Sequence, residues 1–270
     1  MTNAESPLGE LAPAAPAAPP EPQPAGRPHW IRFYAIYMVL GAALFGAAVI
    51  GVVSATHTSR PGSAWSAWRP TGGGIGAAAE IARHVGGEYR LANGAQLVDV
   101  IAKAPSVTAS NQSIRLGYVA VRGTGGKPDD VFPVSGSNSV MYTLCGLGTS
   151  CTIATGKPSL ARGELVRREI LELALYTFHY EGGIGSVIAF MPPSSPSTSP
   201  VVVYLHRSDL GPQLRQPLAR SLAPRAPAPQ TIPRREARLV DATTGRRVYS
   251  FSLTQAQDGN AVLILSRLAA

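Results

Sequence analysis

The stretch that most invites a chemical reading is Thr71-Gly72-Gly73-Gly74-Ile75-Gly76-Ala77-Ala78-Ala79, whose glycines imitate the turn that brings backbone N–H groups against a dinucleotide pyrophosphate. That turn must follow a buried strand. Trp65 to Pro70 holds no apolar run, and no acidic residue closes a second strand about 20 residues further on. Gly156-Lys157 offers an ammonium group for a phosphate-binding loop, but Pro158 stands where the hydroxyl belongs and Cys151 where the first glycine belongs. Neither a Gly-x-Ser-x-Gly elbow nor a His-Glu-x-x-His zinc pair occurs. The motifs therefore imply no cofactor.

Cys145 and Cys151, the only cysteines, enclose the Gly-rich run Gly146-Leu147-Gly148-Thr149-Ser150. Zinc sites that add a ligand such as His179 or His206 usually place their cysteines two to four residues apart, and this pair is wider. A disulfide closing a short loop between two strands is the better reading, worth at most ~2–2.5 kcal/mol by loop entropy. The histidines, His29, His57, His84, His179 and His206, are scattered without partners in sequence. Asp129-Asp130 sits in a Gly and Pro loop, and Glu164, Glu169 and Glu172 spread around one helix, so no carboxylate pair suggests acid and base chemistry. No catalytic or metal residue is assigned on this basis. A hydrolase whose site forms only in three dimensions would need a deep pocket holding at least two of Cys145, His179, His206 and the carboxylates.

The elements around these residues read as an α+β fold, with a mixed, largely antiparallel sheet and one long packed helix. That helix runs from Leu160 to Tyr180, with Ser159 as N-cap and Gly182-Gly183 beyond its end. Val166, Ile170, Leu173, Ala174 and Phe178 recur at helical spacing on its buried face, and Glu164, Arg168 and Glu172 are expected along the outer one, in pairs worth ~0.3–0.5 kcal/mol each. A shorter helix is expected from Gly76 to Val85, and another within Leu210 to Leu222. Asn93-Gly94 predicts a hairpin between Tyr89–Ala92 and Gln96–Ala102, and Asp258-Gly259 a second between Arg247–Thr254 and Ala261–Leu265. Further strands are read at Ile114–Val121, Ser139–Leu144, Cys151–Ala154, Ser186–Phe190 and Val201–His206, where alternation is weak.

Ahead of this domain, 21 consecutive uncharged residues run from Phe33 to Val53. At the helical rise they span roughly 30 Å, the thickness of a bilayer's hydrocarbon core. Trp30, Tyr34 and Tyr37 suit the headgroup level, and Arg32 can reach the phosphates. A signal peptide cleaved after Ala55 is the rival, opposed by the length of the apolar stretch and by the long tail before it. Ala43, Ala47 and Gly51 form a small-residue stripe that would allow two such helices to approach. The division is then a Pro/Ala-rich disordered tail over 1–29, a transmembrane region over 30–55, a linker over 56–73 and an α+β domain over 74–270. Positive flanks barely decide orientation; the cysteine pair favours a cytoplasmic N-terminus and an extracytoplasmic domain. In the linker, Trp65 and Trp68 are expected to pack onto the domain.

The net charge is +8, and beyond Val53 there are 22 Lys or Arg against 13 Asp or Glu. From Arg207 onward the balance is 10 against 4, with Arg234, Arg235 and Arg238 as the densest cluster and the candidate contact for an anionic partner. Outside a cell, nucleic acid is the least expected of such partners. At Leu144-Cys145-Gly146-Leu147-Gly148, at Gly156-Lys157-Pro158-Ser159 and at Arg167-Arg168-Glu169-Ile170-Leu171-Glu172-Leu173-Ala174-Leu175-Tyr176-Thr177-Phe178, the chain resembles a family of uncharacterised single-pass membrane proteins of actinobacteria. The resemblance implies an anchored envelope protein and carries over no functional residue. The leading expectation is a non-catalytic domain, tethered outside the cytoplasmic membrane, that binds a partner protein or an anionic envelope component. The alternatives are the envelope hydrolase and a scaffold recruiting a cytoplasmic partner through its Pro-rich tail.

Overall fold

The computed structural model describes residues 64–109, 112–124, 127–195 and 201–268. The expected tail, the Phe33–Val53 span with its Ala43, Ala47 and Gly51 stripe, and the Ala55 junction lie outside the described residues. Among the described residues no helix is long and apolar enough to cross a membrane.

The chain enters through α1 (Gly74–Glu88), whose buried Ala77, Ala78, Ile81, Ala82 and Val85 give it a narrow apolar face. Five strands follow: β1 (Asp99–Lys103), β2 (Ser106–Ala109), β3 (Gln112–Val121), β4 (Asp130–Pro133) and β5 (Ser139–Cys145). Helix α2 (Leu160–Tyr180) then leads to β6 (Ser186–Phe190) and β7 (Val201–His206). A short α3 (Gly211–Leu214), the helix α4 (Arg234–Thr244), β8 (Val248–Gln255) and β9 (Ala261–Arg267) complete the order.

The strands form one mixed sheet in the order β1-β5-β6-β7-β8-β9-β3-β2, with β4 also on β3. Two pairs are parallel, β5 with β6 and β3 with β9, and the others are antiparallel. A parallel pair needs a long crossover, and α2 supplies it between β5 and β6. The sheet curls until it is nearly closed, so its two faces serve different cores. Val140, Tyr142, Leu144, Val187, Ala189, Val203 and Leu205 pack outward under α1 and α2. Met141, Ile188, Val202 and Tyr204 alternate with them and point inward, meeting Leu116, Val119, Leu263 and Leu265. Burial on both faces is why these strands read as continuous apolar runs.

Strand β3 reaches the inner core from both its halves because of a bulge at Gly117. Leu116 pairs with Ala261 and Tyr118 with Val262, so one extra residue flips the parity and turns both Leu116 and Val119 inward. A Cβ at Gly117 would lie 2.8 Å from the Cβ of Asn260, closer than side chains tolerate.

Ser159 caps α2 as expected, accepting from the Arg162 N–H at 3.2 Å. At the other end the Arg207 guanidinium donates to the carbonyls of Phe178, Glu181 and Ile184, giving partners to groups the helix leaves open. Val166, Ile170, Leu173, Ala174 and Phe178 are buried, as their spacing predicts. The expected outer stripe is corrected: Arg168 is 0% exposed, because α2 is covered by α1 and α4 as well as by the sheet.

Arg168 is held from four sides. Its Nε donates to Glu236 of α4 at 2.7 Å, and Nη1 donates to Glu172 at 3.1 Å and to the Tyr89 hydroxyl. Nη2 donates to the Ala223 carbonyl at 3.0 Å. Tyr89 in turn donates to Glu172 at 2.7 Å, and the Ala223 N–H donates to the second oxygen of Glu236 at 2.6 Å. Helix α4 is placed by this pair: its buried residues are Glu236, Val240 and Thr244, with Leu239 half-buried against the same core.

Three other expectations are revised. Gly94 adopts φ +79 in a turn, but only Arg90 and Gln96 bridge across it, since Leu97 and Val98 dive under the helices and β1 pairs with β5. The strand read at Cys151–Ala154 is absent, because Thr149–Cys151 form a tight turn with Ser150 and Cys151 at positive φ, closed by the Thr152 N–H on the Thr149 carbonyl. Strands β2 and β4 lie where no strand is read. Removing Arg168 is expected to be as damaging as the largest apolar truncations, since Glu236 and Glu172 would keep their burial and lose their cation. Arg168→Ala should cost about 3–5 kcal/mol in urea unfolding, and Arg168→Lys should recover less than half, lacking the planar fork; a cost below about 1 kcal/mol would show the network to be dispensable.

Candidate functional site

Arg234, Arg235 and Arg238 are brought onto one exposed face by the turn of α4, three and four residues apart. The acids of the same helix do not neutralise them. Glu236 points inward to Arg168, and Asp241 accepts from Arg167 of α2 at 2.7 Å. Arg235 donates to the Arg220 carbonyl at 2.8 Å, and among the described residues none of the three arginines forms an ion pair. Arg234 and Arg235 also lie in the first turn, where the helix dipole disfavours a cation by about 0.3–1 kcal/mol. Helix α4 thus presents an uncompensated basic face, with exposed Arg220 and Arg225 in the segment before it.

Cys145 and Cys151 form the expected disulfide, with Cα atoms 4.5 Å apart. The loop between them folds back on the end of β5, where Gly146 N–H donates to the Cys151 carbonyl at 2.8 Å and Gly148 N–H to the Thr152 carbonyl at 2.8 Å. Glycine is required at 146, because a Cβ there would fall 2.1 Å from the Thr152 carbonyl oxygen. Ser150 and Cys151 take left-handed φ values of 54° and 61°, which side chains rarely adopt, and the disulfide keeps them there. With both sulfurs bonded to each other, the metal alternative loses its ligands; no group of three His, Cys, Asp or Glu among the described residues could hold an ion.

The glycine-rich segment before α1 is already occupied by carboxylates of the chain. Thr71 N–H donates to Glu80 at 2.7 Å, Gly72 N–H to the other Glu80 oxygen at 3.1 Å, and Gly74 N–H to Glu181 at 2.8 Å. The Thr71 N–H first, then the Thr71 hydroxyl and the Gly72 N–H, hold the Glu80 carboxyl below its ordinary value. The donors that would meet a pyrophosphate are spent on internal anions.

The histidines of the domain do not converge. Trp68 stacks on His84 at 4.1 Å and Trp65 on His179 at 4.1 Å, with Tyr176 edge-on to both tryptophans. This is the packing of the linker onto the domain that the two tryptophans suggest. His206 sits elsewhere, between Phe132 at 4.7 Å and Tyr204 at 4.6 Å. Burial lowers the pKa of all three imidazoles. Cys145, His179 and His206 therefore lie in three separate surroundings, with Asp209 accepting from the His206 backbone N–H at 2.7 Å.

The open end of the curled sheet holds a cavity of about 500 Å³, lined by β1, β2, β5, β6 and β8 and bordered by Ser150 and Cys151. No sequence motif announces it, because its walls come from strands far apart in the chain. The chain matches no protein-family model, no curated protein and no solved structure.

One further ionisable group is buried without use. Glu169 is 0% exposed, and neither carboxyl oxygen has a hydrogen-bond partner among the described residues. Burial, reinforced by Glu172, raises its pKa well above the ordinary 4.5, against the pull of Arg168. Such a carboxyl contributes its full share of stability below the unfolded value and loses it as pH rises toward the folded one. Glu169→Gln should therefore give a Tm gain that grows as the pH is raised above about 4.5; a difference independent of pH would mean that Glu169 does not titrate in the folded protein.

Proposed function

We propose that the chain is a membrane-anchored, non-catalytic domain outside the cytoplasmic membrane that binds an anionic envelope component through the outer face of α4. The carrying observation is the placement of charge on that helix: its acids are engaged by Arg167 and Arg168, while Arg234, Arg235 and Arg238 face solvent. Keeping two cations at a helix N-terminus costs stability, a cost that a polyanion laid across the face would offset. The anchor is supported by the 21 uncharged residues of Phe33–Val53. The compartment is supported by the Cys145–Cys151 disulfide, a bond that persists in oxidising surroundings. The resemblance to single-pass actinobacterial membrane proteins points the same way.

Two measurements test the reading. The full chain in neutral detergent should be retained on immobilised poly(glycerol phosphate) at low salt and released as salt screens the contact. The triple variant Arg234→Ser, Arg235→Ser, Arg238→Ser should lose roughly tenfold in affinity at a Tm that is equal or slightly raised; equal retention of the variant would remove α4 as the contact. In intact cells, Cys145 and Cys151 should resist a membrane-impermeant thiol reagent until an impermeant reductant is added. Labelling that requires cell lysis would put the domain on the other side.

A further inference from the structure

The inner face of the sheet is filled at one end and open at the other. Tyr204, Leu116, Leu263 and Leu265 close the filled part. Toward the other end the two terminal strands β1 and β2 share no ladder with each other, and residues of both line the cavity. Its volume of about 500 Å³ falls within the usual range of small-ligand sites, about 300–1,000 Å³.

The lining combines apolar and polar groups. Met141, Phe190, Met191, Phe251 and Leu253 supply the apolar part, with Phe190 and Phe251 in edge-to-face contact at 5.0 Å. Water against such a surface lacks the polar partners it needs, so the space favours a hydrocarbon occupant. Leu253 is 46% exposed at this rim, an apolar side chain that an occupant would cover. Polar groups lie beside these: Lys103 at the end of β1 is the cross-strand partner of Met141, Thr143 is that of Phe190, and Ser106 and Thr108 of β2 add their hydroxyls. Lys103 is the only charged residue among those lining the cavity, and no carboxylate among the described residues pairs with it. A cationic head would be repelled there and a neutral one would leave the ammonium without a counter-charge. An anionic head on one apolar chain satisfies both kinds of group.

We propose that this cavity binds a single-chain anionic amphiphile, with its hydrocarbon chain against Phe190 and Phe251 and its carboxylate or phosphate head at Lys103. The site is separate from the basic face of α4: it opens on the inside of the sheet, whereas α4 packs on α2 outside it. Neither reading depends on the other.

The test uses the full chain in lipid nanodiscs with a long-chain fatty carboxylate carrying a photoreactive diazirine, and maps the labelled peptides by mass spectrometry. Label is expected on the peptides of β6 and β8. Unlabelled fatty carboxylate or lysophosphatidate should compete, and the fatty alcohol of the same length should compete much less. The stronger of the two anionic competitors identifies the head as a free carboxylate or a lipid phosphate. Lys103→Gln should lower labelling about tenfold, the loss of one charge-assisted contact, and erase the advantage of the anionic competitors over the alcohol. Leu253→Asp, at an exposed position, should abolish labelling with the near-ultraviolet circular dichroism unchanged. Label scattered along the chain, or labelling by the carboxylate that is indifferent to Lys103→Gln, would overturn the proposal.

Discussion

A guanidinium ion cannot be left bare inside a protein, and Arg168 is fully buried. Its burial is tolerated only because several acceptors arrive together: Glu172 one turn along α2, Tyr89 just past α1, the Ala223 carbonyl in the Pro-rich segment, and Glu236 of α4. Each of those groups is itself satisfied by another member, as when Tyr89 donates to Glu172 and Glu236 accepts from the Ala223 N–H. The requirement is collective, since a half-filled network of buried charges is worse than an apolar core. It gives α4 and the Pro-rich segment a defined seat on the helical layer.

The surface properties follow from that seat. Because Glu236 must face Arg168 and Asp241 is paired with Arg167, the charges that α4 leaves unpaired toward water are Arg234, Arg235 and Arg238. The ion pair inside thus produces the charge imbalance outside. Curling of the sheet has a comparable consequence. Strands β5, β6 and β7 must bury both faces, one under α1 and α2 and one against β3 and β9, and the curl that achieves this encloses more space at one end than the side chains fill.

Legibility differed among the elements for identifiable reasons. The span of α2 and its cap, the strands Ser186–Phe190 and Val201–His206, and the turn at Asp258-Gly259 all carry local signals: apolar periodicity, a Ser N-cap, β-branched runs, and a glycine at φ +82. Helix α4 sets exposed Arg234, Arg235 and Arg238 apart from inward Leu239 and Val240, but Glu236 and Thr244 on its buried face mask that pattern. The hairpin at Asn93-Gly94 keeps its turn but gives up its ladder, because pairing β1 with β5 buries Val100 under α1. The outer stripe expected of α2 failed for a related reason: a helix position is polar by sequence but exposed only if nothing packs there.

By itself the sequence determined what depends on neighbours along the chain: the α+β character, the long central helix, the short loop between Cys145 and Cys151, the clustering of Arg234, Arg235 and Arg238, and the uncharged run from Phe33 to Val53. Only the tertiary structure decided the parallel pairings within the mixed sheet, the inward turn of Glu236, the engagement of the glycine-rich donors by Glu80 and Glu181, and the cavity beside Lys103. Each of these joins residues remote in sequence, and such contacts form where burial and hydrogen bonding over the whole domain are best satisfied, information that no local window contains.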